Sequence, residues 1–139
     1  MKDTLKPGIT YEHRFKLTDS KMVPALYPEA PEFQLMPSVF ATGFMVGFLE
    51  WACLNAVIPH IDWPREQTVG THVNVSHLAA TPSGQEVIAR VRLTAVDGRR
   101  LTFEVEGHDE QELISSGTHE RFVIDRDRFD AAVLAKSCA

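Results

Sequence analysis

Glu50 is the only charged side chain in the run from Val39 to Val57. An ionised carboxylate among apolar neighbours must shift its pKa or find a hydrogen-bonding partner. It is therefore either a nucleophile or general base in a dry cleft, or a group on a helix face that meets solvent or a partner subunit. His77 ends an alternating stretch that holds Val73 and Val75. It is either a partly buried ring with one hydrogen bond, or an acid–base group facing the helix that carries Glu50. Thr42 precedes Gly43 near the start of that helix. Its hydroxyl is an N-cap, or it lies beside free backbone N–H groups that hold a carbonyl oxygen as it becomes anionic.

Spacing limits how these groups combine. Thr42 and Glu50 are eight positions apart, about 12 Å along a regular helix, so they do not touch within one straight helix. The helix starts after Thr42, or the two act on different parts of a substrate, or they pair across a dimer interface. Gly70 lies on the strand that leads to His77 and lacks a side chain, which lets a ligand approach the backbone. Arg99, Arg100 and Arg121 are candidates for phosphate contacts, since a guanidinium grips phosphate with two parallel N–H groups. Of the three, Arg121 is the best placed, inside a strand.

The elements that must position these groups follow from periodicity. Tyr11–Leu17 alternates and predicts a first strand. The segment from Asp19 to Leu35 carries Pro24, Pro28 and Pro31, so it is a loop or short-helix region long enough to form a lid. Val39–Val57 is apolar on nearly every face and predicts a buried helix, bounded by Pro37 before it and Pro59 after it. Thr68–Ala79 alternates with Val69, Thr71, Val73, Val75 and His77 on one face. Glu86–Val96 alternates through Val87, Ala89, Val91, Leu93 and Ala95, and Arg100–His108 through Leu101, Phe103, Val105 and Gly107. Asp97-Gly98 between them is a two-residue hairpin signal. A last strand spans Leu113–Ile124, and a short helix follows from Asp125 to Cys138. One helix followed by a meander predicts an α+β fold: an antiparallel sheet of about five strands curled around one long central helix, and not a parallel doubly wound sheet.

Composition sets the frame. The 139 residues make one domain, residues 1–139, and with 44% hydrophobic and 24% charged residues the chain is globular, not disordered. A net charge of −5 argues against a nucleic-acid partner, because phosphate neutralisation needs a basic surface. Glu50 argues against a membrane span, since a carboxylate at the bilayer centre costs roughly 2.5 to 3.5 kcal/mol. The N-terminus lacks the apolar core of a signal peptide. Cys53 and Cys138 form neither a disulfide framework nor a metal pattern, and a reducing cytoplasm is the expected compartment.

The stretch Phe40-Ala41-Thr42-Gly43-Phe44-Met45-Val46-Gly47-Phe48-Leu49-Glu50-Trp51-Ala52-Cys53 resembles the central helix of the fluoroacetyl-CoA thioesterases. Val75-Ser76-His77-Leu78-Ala79-Ala80-Thr81-Pro82-Ser83-Gly84 resembles their histidine strand and its turn, and Ser116-Gly117-Thr118-His119-Glu120-Arg121 also matches. The resemblance implies a hot-dog fold, dimeric, with the active site at the subunit interface. It implies a catalytic set of Thr42, Glu50 and His77, with Gly70 and Arg121 lining the site. The implied reaction is hydrolysis of an acyl-CoA to free acid and CoA, with no metal and no cofactor beyond the CoA of the substrate. Where the family has an aromatic residue just before the helix, this chain has Met36, which leaves the acyl group open. Met36 and Phe40 are the expected acyl-side contacts. The bulk of Phe33, Leu35, Phe44, Met45 and Phe48 around them favours a short acyl chain.

Two other readings accompany the thioesterase. One is an acyl-thioester hydratase or dehydratase, which uses acid–base groups but leaves CoA attached. The other is a non-catalytic acyl-CoA-binding protein, which has no need of the polar set. A homodimer or a dimer of dimers is expected in each case, because a single curled sheet leaves edges to cover.

Overall fold

In the computed structural model, which describes residues 1–137, strand β1 (Thr10–Lys16) leads into a proline-rich segment with two short 3-10 turns and the one-turn helix α1 (Pro31–Gln34). The long helix α2 (Thr42–Val57) follows, and then strands β2 (Glu66–His77), β3 (Glu86–Asp97), β4 (Arg100–His108) and β5 (Leu113–Asp125), and helix α3 (Arg126–Ser137). The five strands form one antiparallel sheet in the order β1-β3-β4-β5-β2. The predicted order of helix and strands is present and α2 lies against the sheet, but the meander is limited to β3-β4-β5: β2 does not pair with β3 and crosses instead to the far edge beside β5. Cys138, at the end of the predicted terminal helix, lies outside the described residues.

The core forms where the inward sides of the strands meet α2. Met45, Phe48, Leu49, Ala52, Cys53 and Ala56 of the helix pack with Val87, Ala89, Val91, Leu93, Leu101, Phe103, Val105 and Val123 of the sheet. The expectation of a helix buried on every side is corrected. A single sheet covers one side only, so Trp51 remains 44% exposed. Beside β1 the helix borders a cavity of about 380 Å³ lined by Phe15, Phe40, Phe44, Phe48 and Trp51, among others. Length and composition alone would let Thr42–His60 cross a bilayer, yet its apolar side chains are the ones that seal the sheet.

Two bulges change the predicted facing of residues. The β2–β5 register shifts between Gly70 and His72. Directly opposed residues share a face, and Thr68, Gly70, Val73 and His77 oppose the buried Val123, Arg121, His119 and Ser115. The inward set is therefore Thr68, Gly70, Val73, Val75 and His77, with Thr68 and Gly70 in place of the predicted Val69 and Thr71. An unbroken strand would put Gly70 and His77, seven positions apart, on opposite faces. A second shift, between Leu93 and Ala95, leaves Ala95 exposed and turns Val96 onto the core. The Asp97-Gly98 hairpin is as predicted: Asp97 pairs with Arg100, and Gly98 has φ +58°, a left-handed conformation that glycine adopts freely.

Candidate active site

Helix α2 begins at Thr42, with Ala41 as N-cap and no side-chain cap. Thr42 is therefore the first helical residue and not the cap. Its backbone N–H and those of Gly43 and Phe44 precede the first intrahelical acceptors. The Thr42 hydroxyl lies 2.8 Å from His77 Nδ1 at the end of β2. Burial pushes the His77 pKa below its ordinary value, so the ring is neutral near pH 7. Its Nε2 is buried and has no hydrogen-bond partner among the described residues. The proline-rich segment reaches this end of the helix: a Cβ on Gly43 would stand 3.2 Å from Leu26 Cδ1.

Two turns along α2, Glu50 meets a second group of residues. Arg121 Nη1 donates to Glu50 Oε1 at 2.9 Å. Three further bonds fix the guanidinium. Nε donates to the Thr68 hydroxyl at 2.8 Å, Nη2 to the Thr68 carbonyl at 2.8 Å, and Nη1 also to His119 Nε2 at 3.1 Å. Arg121 is 4% exposed, while the Glu50 side chain is 36% exposed. The pair thus holds one carboxylate oxygen against a buried cation and keeps the group open to a ligand. Gly70 makes the arrangement possible, because its missing side chain is the space that the carboxylate fills.

The expected trio is divided within one chain. Thr42 joins His77 and Glu50 joins Arg121 and Gly70, with about 12 Å of helix between the two groups. Both lie on the inward side of β2. Met36 is 48% exposed after α1, on the proline-rich segment, where the rings of Tyr27 and Phe33 lie 6.2 Å apart. Phe40 is 2% exposed, bridges Met22, packs edge-on against Phe48 and lines the cavity beside β1. Arg99 spends a guanidinium N–H on the Val123 carbonyl, and Arg100 is exposed on the hairpin. A depression of about 540 Å³ on the outer face, between Glu12, Arg90, Arg92 and Glu104, contains none of these groups.

Sequence reasoning did not single out Thr68 and His119. The signal was present in β5: His119 and Arg121 continue an inward alternation that otherwise carries Ser115, Gly117 and Val123. Two polar residues at core-facing positions mark a buried network.

Comparison with known proteins identifies the family of the chain. Residues 25–127 match the family model described as fluoroacetyl-CoA-specific thioesterase, a span that holds Thr42, Glu50, Gly70, His77 and Arg121. The chain is 48% identical over its full length, and over 99% of the relative, to a fluoroacetyl-CoA thioesterase of Streptantibioticus cattleyicolor. A solved fluoroacetyl-CoA thioesterase structure superposes with a TM-score of 0.93 at 47% identity, covering 96% of this chain and 98% of the other. A variant solved with fluoroacetate and CoA gives 0.87 at 47% identity, over 90% and 99%. A thioesterase-superfamily protein of Thermus thermophilus, 23% identical with a TM-score of 0.84 over 97% and 95%, shares the fold. The chain belongs to the fluoroacetyl-CoA-specific thioesterase family.

Proposed function

We propose that this chain hydrolyses short acyl-CoA thioesters, fluoroacetyl-CoA among them, to the free acid and CoA. The observation that carries the reading is the Glu50 carboxylate. Oε1 is held by Arg121, and Oε2 has no hydrogen-bond partner among the described residues. A fixed and accessible carboxylate attacks the thioester carbonyl or takes a proton from the attacking water. Because about 12 Å of helix separates Thr42 from Glu50 in one chain, the two meet at one carbonyl only across a subunit interface; there the Thr42 hydroxyl, oriented by His77, and the first N–H groups of α2 are suited to the oxyanion that forms. Water supplies the hydroxyl of the acid, and its other proton ends on the CoA thiolate. The chemistry requires no metal, and CoA enters as part of the substrate. The related enzyme of S. cattleyicolor, named for this reaction, supports the substrate class.

The active unit in this reading is a homodimer. Strand β2 is a twelve-residue edge, exposed from Gly70 to Asn74. A two-fold axis pairing two such edges covers both and brings the Glu50 group of one subunit toward the other. The free thiol of Cys53 suits a reducing cytoplasm. The test is thiol release from acetyl-, propionyl-, fluoroacetyl-, hexanoyl- and aryl-CoA, with light scattering on the same sample. The expected result is thiol release favouring the short acyl groups from a dimer or dimer of dimers. Loss of substrate without free thiol would instead indicate a hydratase, and binding without turnover an acyl-CoA-binding protein.

A further inference from the structure

His119 is 2% exposed and stands in β5, two residues before Arg121 and paired with Val73 of β2. Its Nδ1 lies 2.7 Å from the His72 carbonyl, which belongs to the β2 bulge. A carbonyl only accepts, so Nδ1 carries the proton. Nε2 is then a bare lone pair, and Arg121 Nη1 donates to it at 3.1 Å. The same Nη1 donates to Glu50. Protonation of Nε2 would set an N–H against the guanidinium and draw Glu50, now 3.9 Å away, toward the imidazolium. Burial holds the pKa of this ring below the ordinary histidine value, and the charge of Arg121 acts in the same direction.

We infer that His119 is a positioning residue: as a neutral Nδ1–H imidazole it accepts from Arg121 and so fixes the guanidinium that aims the Glu50 carboxylate. This rests on the thioesterase reading above and adds a residue to it. The bulge and the cation are joined through one ring. The bulge sets Gly70 and His77 on a common face, and Arg121 sets Glu50 beside Gly70. A displacement of about 1 Å in such a group is enough to lower turnover about a hundredfold.

The test compares three variants with the wild type for kcat, KM and melting temperature. His119→Leu keeps volume but neither contact. His119→Gln returns an acceptor toward Arg121, and His119→Asn returns a donor toward the His72 carbonyl. The expected result is kcat about 10- to 100-fold lower for Leu, with KM changed less than threefold, and at least a tenfold recovery by Gln but not by Asn. A nitrogen-15 spectrum of the wild type should show the Nδ1–H tautomer. A folded Leu variant with wild-type kcat overturns the proposal, as do recovery by Asn alone and an Nε2–H tautomer. If Leu does not fold, the order of Gln and Asn decides. A wild-type chain that releases no thiol from any acyl-CoA overturns the thioesterase reading and this role with it. Normal wild-type turnover with indifferent variants removes His119 alone.

Discussion

A Cβ on residue 70 would stand 2.5 Å from Glu50 Oε1, so Gly70 and the carboxylate share one space. The next contacts of that Cβ would be His119 Cε1 at 3.3 Å and Arg121 Nη1 at 3.4 Å. Of the three atoms, the carboxylate oxygen is the closest and the most free to move, because it ends a flexible, partly exposed side chain. Gly70→Ala should therefore leave the fold standing and push Glu50 off Arg121. We expect a melting temperature within a few degrees of wild type and kcat lower by about 10²-fold, the scale of a 1 Å misplacement. Wild-type turnover by the Ala variant would mean that the carboxylate works from another position.

Glu50→Gln keeps the size of the side chain and an oxygen to accept from Arg121, but removes the charge. The ion pair is more than a third exposed on the Glu50 side, so solvent screening limits its contribution to stability to about 1 kcal/mol or less. Turnover should fall by about 10²- to 10⁴-fold, as for a positioned acid–base group. Measuring kcat beside the melting temperature separates the two effects. A variant that melts normally and hydrolyses at the wild-type rate takes Glu50 out of the mechanism.

Thr42 offers a cleaner separation of shape from chemistry. Thr42→Val preserves the branched outline and removes the hydroxyl that meets His77 Nδ1 at 2.8 Å. Thr42→Ser keeps the hydroxyl. The expected order of kcat is Thr, then Ser, then Val, with Val about 10²-fold down, the scale of a lost oxyanion donor. Equal kcat for Val and Thr would leave the oxyanion to the backbone N–H groups alone.

The chain order of elements was legible because helix and strand periods differ and each segment is long enough to display its own. Glu50 was legible because a lone charge in an apolar run has few explanations. Helix rise limited how Thr42 and Glu50 could combine, and their division into separate groups followed once the helix was seen to begin at Thr42 itself. The bulge between Gly70 and His72 was not legible, because a period-two reading assumes unbroken alternation and a bulge arises from pairing with β5. That single extra residue misassigned Val69 and Thr71 and hid Thr68, whose hydroxyl and carbonyl both accept from Arg121. The open side of α2 was hidden for a related reason: composition reports that a helix is apolar but not how many layers cover it.

Three histidines should make the folded state sensitive to mild acid. Burial is the foremost cause lowering the pKa of His13, His77 and His119. In the unfolded chain each titrates near 6.5. Below that pH the unfolded chain takes up protons that the folded chain refuses, so it binds more protons and stability falls as pH falls. The contribution is fully present above about 6.5 and is lost from there down to the lowered folded values. Glu66, Asp109 and Asp125 are also held below their ordinary values, but their losses begin only near the unfolded carboxylate range of about 4. Urea midpoints should therefore agree at pH 8.0 and 7.5, then decline between 6.5 and 5. His13 provides the control. Its ring packs 4.1 Å from Trp51 and 5.6 Å from Phe48, and its Nε2 is buried without a partner among the described residues. His13→Phe suits that aromatic setting and removes one of the three protons, so the decline should become shallower. A midpoint that stays constant to pH 5, or rises, would show that the folded state accepts these protons as readily as the unfolded chain does.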